Sequence, residues 1–175
     1  GEVTYFSPLA DTSLPDAGFV YLPGGYPELY LAALSANRQM LQSIRRYVES
    51  GGKLLAECGG MMYLCDEIRD KNGDVYPMAG VLHQSATMEN MKLRLGYRTL
   101  LYNETRLKGH EFHYSRLVEQ QNPLPSCAVA YTAKGVETDT PLYHYKNVWA
   151  GYTHLYWADP VGNEWFTKFV IDGNT

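Results

Sequence analysis

Cys58 is the residue with the clearest capacity for chemistry. It follows an apolar segment over 53–57 and precedes Gly59 and Gly60, after which a helical pattern begins. A sharp turn from a strand into a helix lifts a side chain above the edge of a sheet, and small neighbours let the backbone bend in this way. The start of the helix favours the thiolate. The pattern predicts a nucleophile, with the Gly59 amide directed to where an oxyanion would form on the substrate, or else a buried structural cysteine before a glycine turn.

A thiolate that attacks an amide needs a base, which later protonates the leaving amine. Of the five histidines, His83 and His144 stand in polar, loop-like segments, which favours surface positions. His110 and His113 lie in an alternating segment, where their spacing would place the rings on opposite faces of a strand and does not match a helical zinc motif. His154 lies between a strand-like segment and the last helix, where sites form in parallel α/β folds. We predict His154 as the base.

Composition narrows the class of protein. The other cysteines, Cys65 and Cys127, lie in apolar periodic segments typical of a core, and no C-x-x-C pair occurs. We therefore expect no disulfide framework and no metal site, and a reducing, cytoplasmic location. A net charge of −4 without a long basic run is a poor match to nucleic-acid binding. No apolar run approaches the ~20 residues that span a bilayer, so we expect no membrane partner.

Strand and helix patterns alternate in the first part of the chain. Gly18–Leu22 is a buried strand pattern closed by a Pro-Gly-Gly turn, and a helix is predicted from an Asn37 N-cap to Gly51. The strand over 53–57 leads through the Cys58 turn into a second helix. That helix is predicted to carry Met61, Leu64, Cys65 and Ile68. Strand–helix–strand–helix order indicates a parallel sheet covered by helices.

The middle of the chain has a different pattern. Leu93, Leu95 and Tyr97 alternate with polar residues or glycine, as in a half-exposed strand, and further strands are predicted over 109–117 and 127–132. We expect one α/β domain over residues 1–175, with a mostly parallel central sheet and an antiparallel insertion near 75–120. The last helix should present one apolar face, formed by Trp165, Phe166, Phe169 and Val170.

Five motifs, in order along the chain, resemble the glutamine amidotransferase domain of cobyrinic acid a,c-diamide synthase. The likeness covers nearly the whole chain. The motifs are Leu22-Pro-Gly-Gly-Tyr-Pro-Glu28, Ala56-Glu-Cys-Gly-Gly-Met-Met-Tyr-Leu64, Leu95-Gly-Tyr-Arg98, Gly109-His-Glu-Phe-His-Tyr-Ser115 and Tyr152-Thr-His-Leu155.

The resemblance implies a class I glutaminase fold that hydrolyses glutamine to glutamate and ammonia. By motif, Cys58 is then the nucleophile and His154 the base. The glycine loop supplies a second oxyanion donor, Gly25, beside Gly59, and Tyr26 in the same loop is a substrate-binding candidate.

The resemblance also implies a partner, an N-terminal ATP-binding synthetase domain of the same chain. That domain would use ATP and Mg²⁺ to activate substrate carboxylates. No G-x-x-x-x-G-K-[ST] phosphate loop occurs in these residues, so we expect no cofactor here and a piece of a longer synthetase. Alternatives are the glutaminase domain of cobyric acid synthase or of a cell-wall-precursor amidating complex, and a non-catalytic module of the same superfamily.

Two roles remain to be assigned. Free glutamine has an α-carboxylate, and the Arg98 guanidinium is our candidate to bind it. Class I glutaminases usually place a glutamate two residues after the histidine, where this chain has Tyr156. Glu111 is the preferred carboxylate to orient His154, or else to face the partner domain. Glu57 ranks lower, because a regular strand would point it away from Cys58.

Overall fold

Four α-helices and three sheets make up residues 1–172, the part of the chain that this computed structural model describes. The helices are α1 (Leu31–Ala36), α2 (Arg38–Glu49), α3 (Gly59–Leu64) and α4 (Pro160–Asp172), with a short 3-10 helix over Pro27–Leu29. The strands are β1 (Phe19–Leu22), β2 (Lys53–Glu57), β3 (Glu67–Arg69), β4 (Val75–Pro77), β5 (Ser85–Thr87), β6 (Arg94–Tyr102), β7 (Thr105–His113), β8 (Arg116–Leu117), β9 (Val129–Thr132), β10 (Glu137–Thr138), β11 (Leu142–Tyr145), β12 (Val148–Gly151) and β13 (His154–Leu155).

The central sheet has the strand order β1-β2-β12-β11. β1, β2 and β12 are parallel, and β11 pairs antiparallel at the edge. Leu54 and Ala56 of β2 are fully buried against the larger core cluster, and Leu55 points to the second cluster, which contains Trp149 and Trp165. A strand with apolar residues on both faces is typical of a parallel sheet, so the predicted α/β architecture is confirmed.

Helix α2 begins and ends as predicted. The Asn37 side chain accepts a hydrogen bond from the Met40 amide at 3.3 Å, which satisfies one of the free amides of the first turn. Ile44 and Val48 are fully buried. Gly51, just after the helix, has φ of +92°, a conformation that favours glycine.

The second predicted helix is shorter than the apolar spacing indicated. Helix α3 ends at Leu64, Cys65 is extended, and Ile68 belongs to β3. The chain leaves the helix because β3 pairs in parallel with β5, and the Asp66 amide donates to the Gln84 carbonyl at 2.8 Å. The strand that β3 pairs with lies further along the chain, so the spacing of apolar residues near Cys65 does not reveal the pairing. A prediction from that spacing alone therefore made the helix too long.

An antiparallel sheet of five strands, ordered β10-β9-β6-β7-β13, forms most of the insertion and extends beyond the predicted limit of residue 120. The β6–β7 hairpin has an inverted pattern of exposure. Leu95 and Tyr97 are exposed (59% and 65%), whereas Arg98 and Glu111 point inward, with side chains only 11% and 1% exposed. The half-exposed strand is confirmed, with apolar side chains on the solvent-facing side of its first part and with Leu100 fully buried on the inner side of its second part.

Helix α4 covers the other face of the central sheet. Trp165 and Phe169 are buried in the cluster around Trp149, and Phe166 packs at its margin. The predicted apolar face of the last helix is therefore confirmed for these three residues, whereas Val170 is half-buried and lies outside the cluster. Within residues 1–172, no helix has the length and apolar character needed to cross a bilayer.

Candidate active site

Cys58 forms a strained turn at the carboxyl end of β2. Its φ of 50° and ψ of −111° lie in a region that non-glycine residues rarely adopt, at a cost on the order of 1–3 kcal/mol. The next two residues, Gly59 and Gly60, must be glycines because other backbone atoms approach them closely. A Cβ on Gly59 would lie 2.5 Å from the Gly25 carbonyl oxygen, and one on Gly60 would lie 2.4 Å from the Leu22 carbonyl oxygen. The turn therefore packs directly on the loop that follows β1.

His154 reaches Cys58 from the far end of the chain. Its strand β13 follows β12, the neighbour of β2, so the fold delivers both residues to the same edge of the sheet. Cys58, as the larger cause, and Glu57 together raise the pKa of His154 to about 9, against the opposing effect of burial. Gly24 closes over the pair, because a Cβ there would lie 3.0 Å from His154 Cε1 and 3.5 Å from Cys58 Cβ.

The carboxylate beside His154 is Glu57. His154 Nδ1 lies 3.6 Å from Glu57 Oε2, whereas Asp159 pairs with Lys108. The expected position of Glu57, away from Cys58, assumed a regular strand. The positive φ of Cys58 breaks that regularity, so consecutive side chains both reach the same imidazole.

The structure places Glu111 elsewhere, which corrects the expectation that it orients His154. Its carboxylate forms an ion pair with Arg98, accepts a hydrogen bond from Thr140 at 2.9 Å and lies 3.1 Å from His113 Nε2. Burial opposes ionisation of Glu111, but the bonds from His113 and Thr140 and the charge of Arg98 outweigh it and lower the pKa. The charges of Glu111 and Arg98 thus neutralise each other on the inner side of the hairpin.

Arg98 is consequently already paired. Besides the ion pair with Glu111, its guanidinium donates to the Tyr97 carbonyl at 3.0 Å. The geometry gives the proposed contact with a substrate carboxylate no support. That role stays a prediction.

The glycine loop packs against the turn that follows Cys58, and the oxyanion roles of Gly25 and Gly59 stay predictions. The Gly25 carbonyl oxygen faces the Cα of Gly59, and the neighbouring Gly24 adjoins the Cys58 side chain. Tyr26 is largely exposed at the start of the 3-10 helix. Its place beside the loop is compatible with substrate contact, which stays a prediction.

The other cysteines have environments that suppress the thiolate. Cys65 is fully buried, and burial raises the pKa of its thiol well above the ordinary range. Cys127 is partly buried against the second core cluster, and burial raises its pKa to about 11. Neither has a histidine partner among the contacts of the described residues.

Sequence reasoning missed two further neighbours of His154. The His110 ring stacks on the His154 ring with centroids 5.1 Å apart, because the two residues pair across β7 and β13. Tyr21 reaches the site through Glu57, to which its hydroxyl donates at 2.7 Å. The His-Glu-Phe-His motif signalled His110, but the pairing of β7 with β13 has no local signal.

Comparison with known proteins agrees with this geometry. Residues 1–161 match the family described as the CobB/CobQ-like glutamine amidotransferase domain. Hydrogenobyrinate a,c-diamide synthase of Pseudomonas aeruginosa is 39% identical over 160 residues, which are 89% of this chain and 35% of that protein. Cobyrinate a,c-diamide synthase of Fusobacterium nucleatum is also 39% identical, over 89% of this chain and 35% of its own length.

Solved structures place the fold in the same class. A crystal structure of a glutamine amidotransferase superposes with a TM-score of 0.54 at 18% identity, covering 87% of this chain and 79% of the other. This chain spans about a third of the length of the curated relatives it matches. The match over residues 1–161 and the relatives at 39% identity establish that the chain belongs to the family of CobB/CobQ-like glutamine amidotransferase domains.

Proposed function

We propose that this domain hydrolyses glutamine to glutamate and ammonia, and that the ammonia serves ATP-dependent amidation of cobyrinate side-chain carboxylates. One observation carries the hydrolytic part. A cysteine at a strained turn between a parallel strand and a helix lies beside a histidine from another strand, with the side chains of both residues against Gly24. This nucleophile–base pair suits acyl transfer from an amide. The identity of the acceptor rests on the names of the relatives.

The reaction would proceed in two acyl-transfer steps. The Cys58 thiolate attacks the side-chain carbonyl carbon of glutamine, and the resulting oxyanion is bound by the amides of Gly25 and Gly59. The His154 imidazolium donates its proton to the departing nitrogen, so that ammonia leaves and a glutamyl thioester remains. Water then attacks the thioester while His154 accepts its proton, and Cys58 is released with glutamate.

The outer face of the β6–β7 hairpin supports the idea of an amidating partner. This face consists of Leu95, Tyr97, Phe112 and Tyr114, all at least 40% exposed. It lies beside the nucleophile, since Cys58 Sγ donates to the Phe112 carbonyl at 3.8 Å. Exposed contiguous apolar side chains mark interaction surfaces. We assign this face to the ATP- and Mg²⁺-dependent synthetase part. The matched region is 35% of the length of the curated relatives, so most of their chain lies outside it.

A covalent label tests the hydrolytic proposal. A chloroketone analogue of glutamine should modify Cys58 and spare Cys65 and Cys127, because burial holds the latter two as thiols. Cys58→Ser should leave the fold intact. It should reduce the rate of glutamine hydrolysis by several orders of magnitude, comparable to losses on the order of 10⁶-fold known for nucleophile removal. Cys127→Ser is the matched control and should retain activity. Label found on Cys127 after peptide mapping would contradict the assignment.

A further inference from the structure

We propose that Glu57, anchored by Tyr21, is the positioning residue that orients the His154 ring for proton transfer with Cys58. The inference rests on the proposed function and adds a group to it. It gives this site a carboxylate from the residue before the nucleophile, in place of one that follows the histidine.

Three contacts fix the Glu57 carboxylate. It is buried, with 3% of the residue exposed. The Tyr21 hydroxyl donates to Oε2 at 2.7 Å, and the Leu155 amide donates to Oε1 at 3.0 Å. His154 Nδ1 lies 3.6 Å from Oε2, within reach of an ion pair. A buried carboxylate needs such partners. Besides the Tyr21 hydroxyl, the neighbour of Oε2 is the His154 imidazole.

The groups that fix Glu57 lie on paired strands of two sheets. Tyr21 and Glu57 lie on β1 and β2, which pair in parallel, and Leu155 follows His154 on β13. Glu57 therefore holds both the backbone and the ring of the β13 segment. A side chain held by neighbouring strands can set the orientation of an imidazole more exactingly than a mobile loop residue.

The chemical consequence concerns the two ring nitrogens. A carboxylate at Nδ1 favours the tautomer with a proton there, which leaves Nε2 to exchange a proton with the thiol. It also stabilises the imidazolium. Two other titratable groups face this ring, namely Cys58 and the stacked His110. Burial and the charge of His154 lower the pKa of His110, so His110 presents a neutral ring.

The kinetic test compares Glu57→Gln with Glu57→Asp. Glu57→Gln keeps the shape but removes the charge, and we expect kcat for glutamine hydrolysis to fall about 10²-fold, within the range of general acid–base contributions, while KM changes little. The high-pH limb of the kcat profile should move to lower pH, because the imidazolium loses its counter-charge. Glu57→Asp should recover part of the loss. Glu67→Gln, which alters a carboxylate on β3, is the control and should match the unmodified protein.

A second readout does not depend on turnover. The NMR titration of His154, measured in a Cys58→Ser background, should shift to lower pH when Glu57→Gln is added. If the domain proves to have no glutaminase activity but this shift appears, the proposed function fails and the positioning role stands. An unchanged titration together with an unchanged pH profile would overturn the role of Glu57. If Glu57→Gln does not fold, Tyr21→Phe replaces it: a smaller loss in kcat is expected, and full activity would count against the proposal.

Discussion

At the scale of single residues, the site depends on close packing between backbone segments as well as on the chemistry of its side chains. The Cys58 turn packs so closely on the loop that contains Gly24 and Gly25 that Gly59 has no room for a Cβ. A methyl group on Gly59 would overlap both the Gly25 carbonyl oxygen, at 2.5 Å, and Pro27 Cδ, at 2.7 Å. The backbone of the loop would have to move, and with it one of the proposed oxyanion donors.

Gly59→Ala should therefore reduce kcat for glutamine hydrolysis by about 10²-fold or more, the range seen when one oxyanion donor is lost. Steady-state assays of glutamate release measure this effect. Gly18→Ala is the matched control, because a Cβ at Gly18 meets nothing within 4 Å. Activity of Gly59→Ala close to that of the unmodified protein would show that the loop tolerates displacement and would remove Gly25 from the proposed mechanism.

At the scale of elements, the β6–β7 hairpin encloses charge and exposes apolar side chains. Arg98 and Glu111 form an ion pair on its inner side, and His113 continues the network. The His113 ring also stacks on Tyr152 with centroids 3.7 Å apart, and the Tyr152 hydroxyl bonds to Ser115. These partners offset the cost of burying the charges and tie the hairpin to the segment after β12.

Removing one partner of this pair should be costly. Arg98→Ala leaves the buried Glu111 charge without its cation, and we expect the free energy of unfolding in urea to fall by about 3–5 kcal/mol. Lys168→Ala, in the exposed pair with Glu164, should change it little. If Arg98→Ala costs no more stability than this control but raises KM for glutamine, then Arg98 binds the substrate carboxylate and the structural role is wrong.

At the scale of the whole molecule, the apolar outer face of the hairpin adjoins the site that would release ammonia. Ammonia that enters water at neutral pH is protonated and loses its nucleophilicity. A second protein surface packed on this face would limit that loss. The curated relatives contain enough additional chain to supply one, since the matched region is 35% of their length.

Leu95→Asp should uncouple the two reactions in a complete enzyme that carries this domain. We expect glutamate release to exceed amide formation on cobyrinate, while amidation with added ammonium salt is retained. Val75→Asp, at an exposed apolar position on β4 in a different sheet, is the matched control. A one-to-one ratio of glutamate to amide in the Leu95→Asp enzyme would contradict the assignment of this face.

The sequence by itself determined the features that depend on neighbouring residues. Apolar runs and their period located β1, β2, α2 and β12. The capping position of Asn37 and the turn at Gly51 bounded α2, and the Cys58-Gly-Gly turn located the nucleophile candidate. Such features are local, because propensity, capping and glycine backbone freedom act within a few residues. The motif order was sufficient to identify the family.

The tertiary structure decided which distant groups meet. Glu57 stands next to Cys58, yet the positive φ at Cys58 and the pairing of β13 with β7 together determine that it reaches His154. The antiparallel pairing of β6 with β7 brings Glu111 to Arg98, and the packing of this hairpin leaves Leu95 and Tyr97 exposed. Alternation along a strand shows that two faces differ, but only the packing of the sheet decides which face is buried.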